Sequence, residues 1–165
     1  MAVSQEPSKI KVIPLFYKTY LTVIKNSLGS SLFRNFYAKV NGRETDITEN
    51  GNLSCAFFVS TLLVTFGLIE RVHATVKGTV KDLKKSGWRT IKNPRKGSVL
   101  VWEAEKEEDG KRYEHIGFYV GGRMAISNSS KIGKPVLHHW TFGVKNGAPV
   151  RKIKAIFWRK SWSVL

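Results

Sequence analysis

The chain has a single cysteine, Cys55, in 165 residues. One thiol cannot close an internal disulfide, so a disulfide scaffold is excluded, as is a metal site built from cysteines alone. The four histidines (His73, His115, His138, His139) include no His-x₃-His pair, so a zinc centre is not expected. Long hydrophobic runs are also missing. Val12 to Ile24 is apolar-rich, but Pro14 and Lys18 interrupt it and Lys25 bounds it, leaving it too short and too polar to span a bilayer. A secretory signal would need a longer apolar region and a small-residue cleavage site, and neither is found. The protein is therefore expected to be made in the cytoplasm and, if it works outside the cell, to leave by lysis or a dedicated secretion route.

Acidic residues are scarce: 12 Asp+Glu against 28 Lys+Arg give a net charge of +16 and a pI near 10.1. Six of the twelve acids lie between Glu103 and Glu114, and none follows from His115 to Leu165, where nine Lys or Arg residues stand. Such an excess points toward a polyanion: nucleic acid, an anionic membrane surface or an anionic cell-wall polymer. A hydrophobic fraction of 42% excludes a disordered basic tail. The length suits one domain with a real core, expected to act as a monomer.

The chain divides into a helical first half and a strand-rich second half, an α+β order. Leu15 to Asn26 reads as a helix with Pro14 at its first turn. Leu32 to Val40 reads as a short helix or an extended piece. Asn41-Gly42 and Glu49 to Asn52 are turn signals. Ser54 is a suitable N-cap for a helix from Cys55 to about Phe66, stopped by Gly67. That helix is apolar almost all round, which makes it central. A further short helix is expected from Thr79 to Ser86. Strands follow at Ser98–Ala104, Tyr113–Val120, Arg123–Asn128, Val136–Trp140 and Ile153–Arg159. Asp109-Gly110 and Gly121-Gly122 mark the first two hairpin turns.

Cys55 stands where a nucleophilic thiol gains most. Free N–H groups and the dipole at a helix N-terminus favour thiolate and can hold an oxyanion. A base is then required, normally histidine, with a third group to orient it. His115 opens the strand HIGFYV and can meet a helix start far away in sequence. In the pair His138-His139, neighbouring strand residues face opposite sides, so at most one faces a site.

Three segments in this order, LSCAFFVSTLL, NPRKGSVLVWEA and HIGFYVGGRMAIS, resemble the NlpC-type cell-wall cysteine peptidases and, more broadly, the papain-like superfamily that includes the CHAP amidases. The resemblance covers roughly Asn52 to Asn128. Ser54-Cys55-Ala56-Phe57 departs from the family's Asp-Cys-Ser-Gly, which marks a divergent relative. The resemblance implies a papain-like α+β domain over residues 9–165, with the Cys-bearing helix packed on a C-terminal antiparallel sheet; residues 1–8, polar in composition, are expected to form a flexible N-terminus. The resemblance also implies an amidase or endopeptidase that needs no cofactor or metal, acting on peptidoglycan or another anionic polymer.

Carried over residue by residue, Cys55 is the nucleophile and His115 the base. The family's third position falls on Ser127. Hairpin geometry offers Asn128 instead. If Gly121-Gly122 is the loop, Val120 opposes Arg123 and His115 opposes Asn128, and directly opposed residues share a face. A bulge would reverse that choice. One histidine of the 138–139 pair is a further candidate. Tyr37, Ser54, His138, His139 and Trp140 are the expected substrate contacts. Two other classes stay open. One is a papain-like binding domain without catalysis. The other is a nucleic-acid-binding module in which Trp140, Phe142, Phe157, Trp158 and Trp162 form a stacking platform with basic flanks.

Overall fold

A computed structural model describes residues 10–106, 110–160 and 162. The N-terminal segment 1–8 and the turn residues Glu107 to Asp109 lie outside the described residues. The element order is α1 (Phe16–Asn26), β1 (Tyr37–Val40), β2 (Arg43–Asp46), α2 (Cys55–Thr65), α3 (Val76–Lys85), β3 (Arg89–Thr90), β4 (Val99–Lys106), β5 (Arg112–Gly121), β6 (Met124–Ser129), β7 (Lys134–His139), β8 (Val144–Lys145), β9 (Ala148–Pro149) and β10 (Ile153–Trp158). The principal sheet has the order β3-β10-β4-β5-β6-β7, every neighbouring pair antiparallel. The α+β architecture expected from the sequence is present.

The helix α2 lies at the centre. Ala56, Phe58, Val59, Leu62 and Leu63 are buried on it, and it packs on β5 and β6. Each large apolar side chain buried there contributes roughly 1.5–3 kcal/mol. Edge-to-face rings link the layers: Phe33 on Phe58, Phe58 on Phe118, and Phe118 on Tyr20 of α1. The Tyr20 hydroxyl donates to the Gly97 carbonyl at 2.9 Å, which satisfies a fully buried polar group. A smaller cluster of Leu100, Trp102, Ala125 and Ile156 belongs to alternate residues of the sheet.

Several expectations are corrected. Pro14 precedes α1, whose N-cap is Leu15. Of the two readings of 32–40 the extended one holds, as Tyr37–Val40 forms strand β1, hairpinned to β2 through Asn41-Gly42. The third helix starts three residues earlier than expected, because Thr75 caps it by accepting from the Gly78 N–H. Ser54 occupies the N-cap position of α2, but its hydroxyl donates to the Gly51 carbonyl and does not cap the helix.

The β5–β6 hairpin departs from the expected register in a way that matters. Gly121 opposes Met124, so Gly122 and Arg123 form the turn, both at positive φ. A bulge at Val120 then brings Tyr119 opposite Ala125 and Gly117 opposite Ser127. One extra residue in a strand exchanges the faces of everything beyond it. Ser127, not Asn128, therefore shares the face of His115.

Of the proposed stacking aromatics, Phe157 is buried in the core and Trp140 packs against Tyr119. Trp158 and Trp162 pack on each other and on Tyr17. No helix among the described residues is long and apolar enough to cross a membrane.

Candidate active site

A cleft of about 940 Å³ opens where the start of α2 meets β5, β6 and β7, and it is lined by Cys55, His115, Ser127 and His138. One wall is the loop carrying Ile47, Glu49, Asn52 and Leu53. The other is the start of α3, from Ala74 to Lys77.

Cys55 is the first residue of α2. Its sulfur faces the backbone N–H groups of Ile116, Ala56 and Cys55 itself. Ile116 follows His115 on β5, so the thiol rests against the strand that carries the histidine. Burial pushes the thiol up to about 11, against the opposing pull of those N–H groups and of the Arg151 guanidinium. The expected thiolate is thus not the resting form: at this helix start, desolvation outweighs the dipole.

His115 Nε2 lies 2.8 Å from Ser127 Oγ, and the same oxygen lies 2.8 Å from His138 Nε2. Gly117 makes this possible. A Cβ there would lie 2.6 Å from Ser127 Cβ and 2.7 Å from the Ile126 carbonyl oxygen, so only glycine lets Ser127 sit beside the histidine strand. Burial first, then the Arg151 charge and the neighbouring His138, hold the His115 imidazole down at about 3. The resting pair is a neutral thiol and a neutral imidazole.

Aromatic rings fix both histidines. Trp102, fully buried, lies 5.5 Å from the His115 ring and 5.7 Å from the His138 ring. Phe142 stacks on His138 at 4.1 Å and meets His115 edge-on at 5.7 Å. Arg151 sits over Phe142, donating from Nε to the Glu103 carbonyl (3.0 Å) and from a terminal nitrogen to the Tyr113 carbonyl (2.7 Å).

Asn128, the geometric expectation for the third residue, does something else. Its Nδ2 donates to the Gly51 carbonyl at 2.7 Å, which ties the loop before α2 to β6. Gly51 (φ 94°) packs against Gly133, which a Cβ would strike at 2.5 Å. Asn128 lines the cleft and holds the start of the Cys55 helix; it does not bond His115.

The expected substrate contacts separate. Tyr37 is 61% exposed on β1 and is not among the cleft residues. Ser54 is fully buried beneath the helix start. His139 turns away and pairs through Nδ1 with the Thr141 hydroxyl at 2.9 Å. Trp140 faces a separate hollow bounded by Ile91 and Ile153. Only His138 of that group reaches the cleft.

Nothing in the sequence marks Arg151 as a site residue, and Phe142 stands out there only as one aromatic of a nucleic-acid stacking platform. Arg151 reads there as one more charge of the acid-free tail. The signal that was available is Gly117: a glycine two residues after a candidate base, inside an apolar strand, marks a close approach. No model of a known protein family matches the chain, and no curated protein matches it.

Proposed function

We propose that the protein is a papain-like cysteine hydrolase that cleaves amide bonds, with peptidoglycan peptides as substrate. The observation that carries this reading is the His115 ring, bonded through Nε2 to Ser127 in the same cleft as a thiol seated against the next residue of its strand. This leaves Nδ1 of His115 as the nitrogen that takes the thiol proton.

In the proposed reaction Sγ attacks the carbonyl carbon while its proton passes to His115 Nδ1. The tetrahedral oxyanion is held by N–H groups at the start of α2, which no side chain caps. His115 returns the proton to the leaving amine, and a thioester remains on Cys55. Water, deprotonated by His115, attacks the thioester, releasing a carboxylic acid and restoring the thiol. Because the resting pair is neutral, the proton moves with the attack.

The cleft's charge supports an anionic polymer. Lys77, Arg112 and Lys131 line it with Arg151, which is itself paired with Glu105, against Glu49 and Glu114. Glu114 is paired with Lys154, and Glu49 accepts from Asn52. The test is digestion of purified peptidoglycan, with the products read by mass spectrometry. Fragments bearing new amines and carboxylates, absent with Cys55→Ser, are expected. An unchanged fragment pattern across walls of several stem-peptide and cross-bridge chemistries would reject this substrate class.

A further inference from the structure

The hydrogen bonds around His115 form a chain whose direction is fixed at its far end. His138 Nδ1 lies 2.8 Å from the backbone carbonyl oxygen of His139. A carbonyl only accepts, so Nδ1 carries the hydrogen. Burial keeps the His138 imidazole neutral, and it then has no second hydrogen to offer. Its Nε2 is a bare acceptor, 2.8 Å from Ser127 Oγ. A hydroxyl has one hydrogen, and it goes to His138. The Ser127 oxygen is then an acceptor toward His115 Nε2, also at 2.8 Å, so that nitrogen carries the hydrogen. What remains is a lone pair on His115 Nδ1.

Resting on the hydrolase reading, we propose that His138 is a positioning residue that sets the tautomer of the catalytic base. Through Ser127 it holds His115 with hydrogen on Nε2 and Nδ1 open. The titratable groups facing it are His115 from β5 and His139 on its own strand, with the Arg151 guanidinium on the Phe142 ring that stacks on it. Trp102 and Phe142 keep its ring in place. Serine alone could not do this. Its hydroxyl can donate to His115 as well as accept from it, and only the bare Nε2 of His138 draws the hydrogen away.

The test is a long-range proton–nitrogen NMR spectrum of the full chain labelled with ¹⁵N-histidine, recorded from pH 6 to 8. The expected spectrum has His115 protonated on Nε2 and His138 protonated on Nδ1. Hydrogen on His138 Nε2 or on His115 Nδ1 would overturn the proposal. Substitution extends the test. In His138→Leu the Ser127 hydroxyl loses its acceptor and donates to His115, which moves hydrogen to Nδ1. The kcat is expected to fall about a hundredfold with KM unchanged. In His138→Gln the amide oxygen can accept again, and kcat is expected to return to within about fivefold of the parent. A glutamine variant as slow as the leucine variant would also overturn the proposal. If the leucine variant does not fold, the parent spectrum and the glutamine variant decide. Failure of the hydrolase reading looks different: the stated tautomers without Cys55-dependent cleavage would reject the hydrolase and leave the tautomer chain standing.

Discussion

Cys55→Ser is expected to lower the turnover of an amide substrate by at least about 10⁴-fold, and His115→Gln by a similar amount. The two substitutions are also expected to be non-additive, because removing either partner leaves the other with nothing to do. Serine occupies nearly the same volume as cysteine, so the helix start and the core behind it stay in place. Its oxygen is a far weaker nucleophile at this site, since the base it meets is an imidazole held well below its usual range. Glutamine preserves the polarity of position 115 and its contact with Ser127 but supplies no base. Steady-state rates on peptidoglycan fragments, with circular dichroism to verify the fold, measure both. Residual activity within tenfold of the parent in either variant would remove Cys55 or His115 from the chemistry.

Arg151→Leu is expected to cost about 2 kcal/mol of stability at pH 7, because two part-buried carbonyls lose charge-assisted donors. Its pH signature separates this role from simple packing. Folded His115 stays neutral down to about 3, whereas an unfolded histidine takes up a proton near pH 6.5. Between those values the unfolded chain binds more protons, so stability is lost as pH falls below 6.5. The Arg151 charge is one cause of that depressed value. Without it the imidazole rises, and the acid-induced loss shrinks. The variant is thus less stable at pH 7 yet falls less steeply between pH 6.5 and 4.5. Asp46 and Asp82, whose carboxyls are held down by hydrogen bonds, lose their contribution at lower pH, below about 4. Urea titrations at pH 7, 5.5 and 4.5 measure the effect. Parallel pH slopes in parent and variant would show that Arg151 does not act on His115.

The legible part of the fold is the part with a strong apolar period. Both α1 and α2, and the strands β4, β5, β6, β7 and β10, could be read because each has a run of large apolar residues bounded by turn residues. The hairpin β1–β2 and the strands β8 and β9 are short and largely exposed, with no buried face to give an alternation. Cys55 and His115 could be read from a helix start and a strand start. Their partner stays open in the sequence between Ser127, which the resemblance gives, and Asn128, which the simple hairpin gives, because the two exchange faces on the strength of a single bulge residue, Val120. That bulge comes with a turn at Gly122-Arg123, not at Gly121-Gly122. Arg151 and Phe142 lie far along the chain from Cys55, in irregular segments whose course no local pattern fixes.

The most direct measurement on the Cys55–His115 pair is the rate of Cys55 alkylation by iodoacetamide at pH 7, followed by intact-protein mass spectrometry in the parent and in His115→Gln. A thiol buried to about 11 holds almost no thiolate at pH 7. Reaction there depends on His115 accepting the proton as the sulfur attacks. The parent is therefore predicted to react at least about tenfold faster than folded His115→Gln. Equal rates in the two proteins, rising together with pH as for an unassisted thiol, would contradict the pairing of Cys55 with His115.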